Sequence, residues 1–238
     1  MTTLESTLRQ GLVELGLALT DTQIAQLLAY LALIEKWTTV YNLTAVRAPA
    51  QMLTHHLLDS LAVIAPLRRQ LQQRPVDPAV AGDKLCPSSA VQPQSARPVR
   101  LLDVGSGAGL PGVVIAICCP DITVHCVDTV AKKAAFIQQV AVSLKLPNLR
   151  GIHARVENLT DKYDVISSRA FASLVDFTTW SVKALAEQGV WMAMKGKYPA
   201  DEVAALPADV QVFHVEQLQV PGLDAERCMV WMRLALAV

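Results

Sequence analysis

Val99-Arg100-Leu101-Leu102-Asp103-Val104-Gly105-Ser106-Gly107-Ala108-Gly109-Leu110-Pro111-Gly112 is the stretch from which the fold is read. An apolar run of strand length ends in glycines and resumes as Val113-Val114-Ile115-Ala116-Ile117, so the spacing predicts a buried strand turning sharply into a helix. Glycines at such a turn allow backbone N–H groups to approach a ligand at the positive end of the helix. Pro111 suits the first turn, where its missing N–H costs nothing.

The glycine spacing separates two ligand classes. The dinucleotide fingerprint is G-x-G-x-x-G, whereas Gly105, Gly107 and Gly109 read G-x-G-x-G and Leu110 fills the slot of the third fingerprint glycine. A carboxylate at Asp103 sits poorly beside a pyrophosphate but suits a ligand carrying an ammonium and a sulfonium. The ligand implied is S-adenosylmethionine. Further on, the apolar run from Ile122 to Val127 ends in Asp128, an acid placed to accept hydrogen bonds from ribose hydroxyls. A helix cap near Thr129 is the other reading of Asp128.

The chain has 238 residues, 52% hydrophobic and 18% charged, with a formal net charge of zero. That size holds one good core with a small appended domain. The longest uncharged apolar run, Leu110 to Cys119, is too short to span a bilayer. No basic stretch followed by an apolar one opens the chain, which argues against secretion and for the cytoplasm. Cys86, Cys118, Cys119, Cys126 and Cys228 lack C-x-x-C spacing and read as small buried hydrophobes. Charge is polarised along the chain. Arg68 to Arg100 and Lys132 to Arg169 are both basic, whereas Asp201 to Glu226 holds six acids and no lysine or arginine.

Leu4–Leu19 and Thr20–Trp37 read as amphipathic helices; in the second, Ile24, Leu27, Leu28, Leu31 and Ile34 form a stripe and Thr20 or Asp21 can cap it. Tyr41-Asn42-Leu43-Thr44 breaks the pattern, and a third helix after Pro49 carries His55 and His56. Adjacent helix residues point about 100° apart, so these histidines do not share a metal ion, and no metal is expected. Residues 1–71 therefore form an N-terminal helical cap, 72–98 a Pro/Ser-rich mobile linker, and 99–238 the ligand domain. In that domain strands at 122–128, 149–154, 163–168, 190–194, 210–218 and 228–236 alternate at first with helices at 130–146 and 173–187. The fold class is α/β: a Rossmann-like, seven-stranded, mostly parallel sheet, with ligands at the carboxyl ends of its strands.

With those strand ends in view, the sequence resembles the bacterial small-subunit ribosomal RNA guanine-N7 methyltransferases, historically called glucose-inhibited division protein B. The motifs are Tyr41-Asn42-Leu43-Thr44, His56-Leu57-Leu58-Asp59-Ser60, the Asp103–Gly112 loop, Arg155-Val156-Glu157, Ser168-Arg169-Ala170-Phe171 and Lys195-Gly196, in family order over nearly the whole chain. The linker is longer than the family norm. The resemblance implies a class I S-adenosylmethionine-dependent methyltransferase with the donor at Gly105 and Leu110. It places adenine near Val156 and Glu157, and Arg169 against both donor and target base. The acceptor it implies is a guanine of 16S ribosomal RNA in the small subunit.

The donor-binding set is then Asp103, Gly105, Gly107, Gly109, Leu110, Asp128, Val156, Glu157 and Arg169, and the catalytic set Arg169, Lys195, Asn42 and His56. Guanine N7 has an in-plane lone pair and no proton to lose, so its methylation needs alignment and no general base. In keeping with this, no Asp/Asn-Pro-Pro-Tyr/Phe motif for exocyclic amines follows the fourth strand, and no Pro-Cys nucleophile is present. Arg169 would hold O6, a phosphate or the methionine carboxylate, or else pair with Asp164 or Asp176; Lys195 would anchor an RNA phosphate. Alternatives are a small-molecule methyltransferase of the same fold, a nicotinamide oxidoreductase, disfavoured by Asp103 and Leu110, and a non-catalytic RNA-binding module.

Overall fold

The computed structural model describes residues 3–41, 43–73 and 97–235, so Asn42, Cys86 and most of the 72–98 stretch lie outside the described residues. Two helices, α1 (Thr3–Glu14) and α2 (Asp21–Tyr41), open the chain. Thr20 starts α2 with a reciprocal cap: its Oγ1 accepts from Gln23 N–H at 3.2 Å, and its own N–H donates to Gln23 Oε1 at 3.0 Å. The expected stripe faces inward, with Ile24, Leu27, Leu31 and Ile34 buried and Leu28 half-buried. Next, α3 (Pro49–Met52) runs through a π turn (Leu53–Leu58) into α4 (Asp59–Leu61), followed by α5 (Ile64–Gln72).

The sheet holds β1 (Val99–Val104), β2 (Ile122–Asp128), β3 (Leu149–His153), β4 (Tyr163–Arg169), β5 (Leu185–Lys195), β6 (Val210–Gln217) and β7 (Cys228–Leu234). Their order is β3-β2-β1-β4-β5-β7-β6, with β7 antiparallel to both neighbours and the remaining pairs parallel. Between them lie α6 (Gly112–Cys118), α7 (Ala131–Ser143), α8 (Leu174–Ser181) and the short α9 (Ala200–Ala204). Period-two alternation divides the side chains. Leu101, Val124, Val165 and Met192 join one apolar cluster, and Leu102, Val127, Ile166 and Trp191 join the other. Burial of both faces is why the strands read as continuous apolar runs.

One expected boundary is corrected. The helix from Ser173 ends at Ser181 rather than Glu187, because residues from Leu185 on are drawn into β5, where Leu185 lies level with Tyr163. Sheet pairing there overrides the helical preference of Ala186-Glu187. The N-terminal helices pack against the sheet domain: Leu8, Leu27, Leu57 and Leu67 belong to the same buried cluster as Leu101 and Val113, and α2 and α4 lie against α6, α2 also against α7. Side chains of α2 fasten this packing: Gln23 Nε2 donates to the Ile117 carbonyl, Gln26 Nε2 to the Leu144 carbonyl, both at 2.9 Å, and the buried Tyr30 hydroxyl to the Ala108 carbonyl at 2.6 Å. Replacing Tyr30 by Phe leaves the Ala108 carbonyl unpaired in the core; urea unfolding should show a loss of about 1–3 kcal/mol.

Candidate active site

Strand order reverses between β1 and β4, and there, at the carboxyl ends, opens a cleft of about 430 Å³. Gly105, Asp128, Val130 and Val156 line it, with Phe171 and Trp180 on a further wall. The bend after β1 explains the glycine spacing. Gly105, Gly107 and Gly109 have φ of +63°, +58° and +91°, in the left-handed region that side chains disfavour. At Gly109 space is also denied, since a Cβ would lie 2.4 Å from Val113 Cγ2.

The bend offers few free amides. The Gly105 and Ser106 N–H groups donate to the Val127 carbonyl at 2.9 and 3.3 Å, those of Gly109 and Leu110 to the Ser106 carbonyl, and that of Gly107 to Asp128 Oδ2 at 3.0 Å. The loop is therefore tied to the end of β2 rather than opened as a phosphate cradle, which corrects the expectation that its N–H groups face a ligand. A loop with its donors spent fits a cationic methyl donor better than a pyrophosphate.

Eight of the nine expected donor-binding residues fall into three positions, and the ninth, Arg169, is not among the cleft-lining residues. Gly105, Asp128, Val156 and Glu157 line the cleft, and Gly107 is partly exposed beside it. Asp103, Gly109 and Leu110 lie beneath, buried. Asp103 does not reach the open cleft: its carboxylate accepts from Gly112 N–H at 3.0 Å and Ser167 Oγ at 2.8 Å. Its role is to brace the start of α6 and the middle of β4 from below. Asp128 lines the cleft, and its Oδ1 accepts from Val130 N–H at 2.8 Å just ahead of α7. Val130, Phe171 and Trp180 were not read as binding residues, although Val130 follows the strand-end acid by two positions.

Burial pushes the Asp103 carboxyl up to about 6, against the pull of its bonds to Ser167 and Gly112. The folded state thus binds its proton more tightly than the unfolded chain. Its stabilising share is complete below about pH 4 and is lost as pH rises through 6. At 1.4 kcal/mol per pH unit the loss is about 3 kcal/mol. Urea melts between pH 4 and 7 should show this decline, and Asp103→Asn should flatten it.

Arg169, at the end of β4, crosses to the N-terminal helices, its Nη1 donating to Asp59 Oδ2 at 2.7 Å and to the His55 carbonyl at 3.0 Å. Asp59 is 3% exposed and takes a second guanidinium at Oδ1, from Arg227 Nε at 2.8 Å. The alternative partners expected for Arg169 are occupied elsewhere: Asp164 binds Arg97, and Asp176 binds the cap of α8, Ser173. His56 is buried and His55 exposed; His56 Nε2 and Thr44 Oγ1 are 2.8 Å apart. Burial first, then the Arg169 charge, lowers the His56 pKa and keeps the ring neutral.

Lys195 is not a free surface cation. Its Nζ sits 2.7 and 3.0 Å from the two Glu202 oxygens and 3.2 Å from the Ala172 carbonyl. Arg97 and Arg100 pair with Asp164 and Asp161 at the amino ends of β1 and β4, away from the cleft, whereas Lys133 and Arg155 line it. The described cysteines, Cys118, Cys119, Cys126 and Cys228, are buried and free. Among the described residues no group of three or more His, Cys, Asp or Glu side chains is arranged to hold a metal, and no helix is long and apolar enough to cross a membrane.

A sheet in this order with one antiparallel strand next to its edge, and a cleft over a glycine bend at the switch point, define the class I S-adenosylmethionine-dependent methyltransferase fold. The crystal structure of TrmN from Thermus thermophilus shares the fold, with a TM-score of 0.52 and 17% identity over 77% of this chain and 53% of that one. Sequence comparison is narrower. The family model described as rRNA small subunit methyltransferase G (GidB) matches residues 23–77 and 83–230, and the chain belongs to that family. The proteins named "Ribosomal RNA small subunit methyltransferase G" of Albidiferax ferrireducens and of a Polaromonas species are 68% identical over 233 residues and 66% over 229. The first match covers 98% of both chains, the second 96% of this chain and 93% of the relative.

Proposed function

We propose that this chain transfers the methyl group of S-adenosylmethionine to N7 of a guanine in 16S ribosomal RNA, within the small subunit or an assembly intermediate, in the cytoplasm. The observation that carries the reading is the cleft over a bend whose amides are already spent, in a chain of this family. Its residues fit the donor. Val130 and Val156 offer apolar walls for a flat adenine, Asp128 and Glu157 offer acceptors to ribose and base, and Gly107 leaves room above the bend.

When bound, the donor supplies an electrophilic methyl on a sulfonium. The N7 lone pair forms the new bond to carbon while the carbon–sulfur bond breaks and its pair stays on sulfur; no proton moves. What remains for the protein is alignment and charge. Arg169 spends one of its terminal nitrogens on Asp59 and His55, and its remaining N–H groups serve O6, a phosphate or the methionine carboxylate. A donor placed on N7 itself would block the reacting lone pair. Asn42 and His56 are assigned to the acceptor side. Lys195, bound by Glu202, acts by holding the loop after β4 rather than by gripping phosphate.

The test is transfer of labelled methyl to small subunits from cells lacking the gene, followed by mapping of N7-methylguanine in 16S ribosomal RNA. One modified guanine is expected; labelling of small molecules with unlabelled RNA would favour the metabolite alternative. Binding of RNA should weaken steeply with salt. Arg155, whose side chain is 73% exposed, should account for one phosphate, so Arg155→Ala reduces the log–log salt slope by about 1.

A further inference from the structure

One wall of the cleft is aromatic and nothing so far explains it. Phe171 and Trp180 each remain 37% exposed there, although apolar rings are ordinarily covered. The Phe171 ring is held from several sides. A Cβ on Gly105 would strike its Cδ2–Cε2 edge at 2.2 Å, so the ring edge occupies the space the missing side chain leaves. Phe177 and Trp180 meet it nearly at right angles, at 80° and 79°, with centroids 6.3 and 5.8 Å away. Among the described residues no aromatic ring stacks parallel on it, and Phe171 keeps 37% of its surface exposed at the cleft wall.

The backbone beneath is fixed at some cost. Ala170 adopts φ +49°, strained for an alanine, between Arg169 and Phe171. Lys195 Nζ binds the Ala172 carbonyl, and Glu202 Oε2 accepts from Leu174 N–H at 2.6 Å, so the loop after β4 is clamped at two points. A strained, clamped loop that presents an unstacked ring is arranged to hold that ring in one orientation.

Resting on the function proposed above, we infer that Phe171 is the stacking platform that sets the plane of the target guanine. The chemistry asks for such a platform. The N7 lone pair lies in the base plane, so attack along the methyl–sulfur axis requires that plane to contain the axis. Hydrogen bonds to N7 are forbidden because they consume the lone pair. A ring stacked on the base fixes the plane and leaves every edge atom free, and stacking on aromatic side chains is how unpaired bases are ordinarily held.

The experiment compares Phe171→Leu, which keeps apolar bulk but loses the flat face, with Phe171→Tyr, which restores it. Steady-state transfer to small subunits, calorimetric binding of S-adenosylhomocysteine and thermal unfolding are measured for both and for the wild type. Phe171→Leu is expected to lose roughly 10- to 100-fold in kcat, the range that loss of one base–aromatic stack gives. Product binding should stay within about 3-fold of wild type, and Phe171→Tyr should recover most of kcat. Unchanged kcat in Phe171→Leu, alongside an active wild type, overturns the inference and spares the proposed function. A parallel loss of S-adenosylhomocysteine binding also overturns it, by assigning the ring to the donor pocket. An inactive wild type brings down the proposed function and this inference together. If Phe171→Leu unfolds, Phe171→Met carries the same comparison.

Discussion

Replacing Arg169 by alanine should reduce methyl transfer by about 100-fold or more and still leave a folded protein. The first half follows from position. Arg169 ends β4 next to Ala170 of the cleft wall, and in its proposed role removing a preorganised charged donor from a reacting centre costs on the order of 100- to 1,000-fold. The second half follows from Asp59. That carboxylate is shared, and without Arg169 it keeps Arg227 Nε at 2.8 Å, so the buried charge is not left alone. The stability lost should be that of one charge-assisted hydrogen bond in a part-buried setting, about 1–3 kcal/mol. A single-turnover assay beside a urea melt separates the two effects. Near-normal turnover would remove Arg169 from the mechanism.

The companion substitution should invert the pattern. Asp59→Ala leaves two guanidinium groups, Arg169 and Arg227 at 19% and 23% side-chain exposure, facing each other without their common acceptor. Removing one partner of a buried ion pair costs several kcal/mol because the other charge stays unpaired, here about 3–5 kcal/mol. Urea unfolding should show that loss, and activity should fall even where the protein remains folded, since Arg169 loses its strongest tether. Asp59→Asn keeps the shape and one acceptor, and should give an intermediate loss. A cost under about 1 kcal/mol for Asp59→Ala would mean that the cluster is hydrated and does not hold Arg169.

These two residues also mark how far the sequence could be read. The strand–bend–helix unit was legible because it is local: three glycines at positive φ and the apolar runs around them specify it within a few residues. The stripe of α2 was legible for the same reason. Asp59 stood in a recognised motif without a role, because its partnership with Arg169 spans 110 positions and no local pattern encodes it. An acid within Leu57-Leu58-Asp59-Ser60-Leu61 was the available hint, since a charge on an apolar helix face needs a buried partner. Asp103 was read as a ligand group because it precedes the glycines, whereas its side chain lies beneath the bend and its bonds go to Gly112 and Ser167. Lys195 was read as free because Glu202, which neutralises it, lies on a helix too short to show periodicity. The boundary at 182–189 failed because strand pairing with β4, rather than local preference, decides where α8 gives way to β5.

In the proposed function the bend at Gly105–Gly109 forms the floor of a methyl-donor site, and isothermal calorimetry with S-adenosylhomocysteine tests that most directly. The folded protein should bind one equivalent with a dissociation constant of about micromolar order, worth about 8 kcal/mol, and a nicotinamide dinucleotide should give no comparable heat. Absence of binding by folded protein, or a preference for the dinucleotide, would contradict the account.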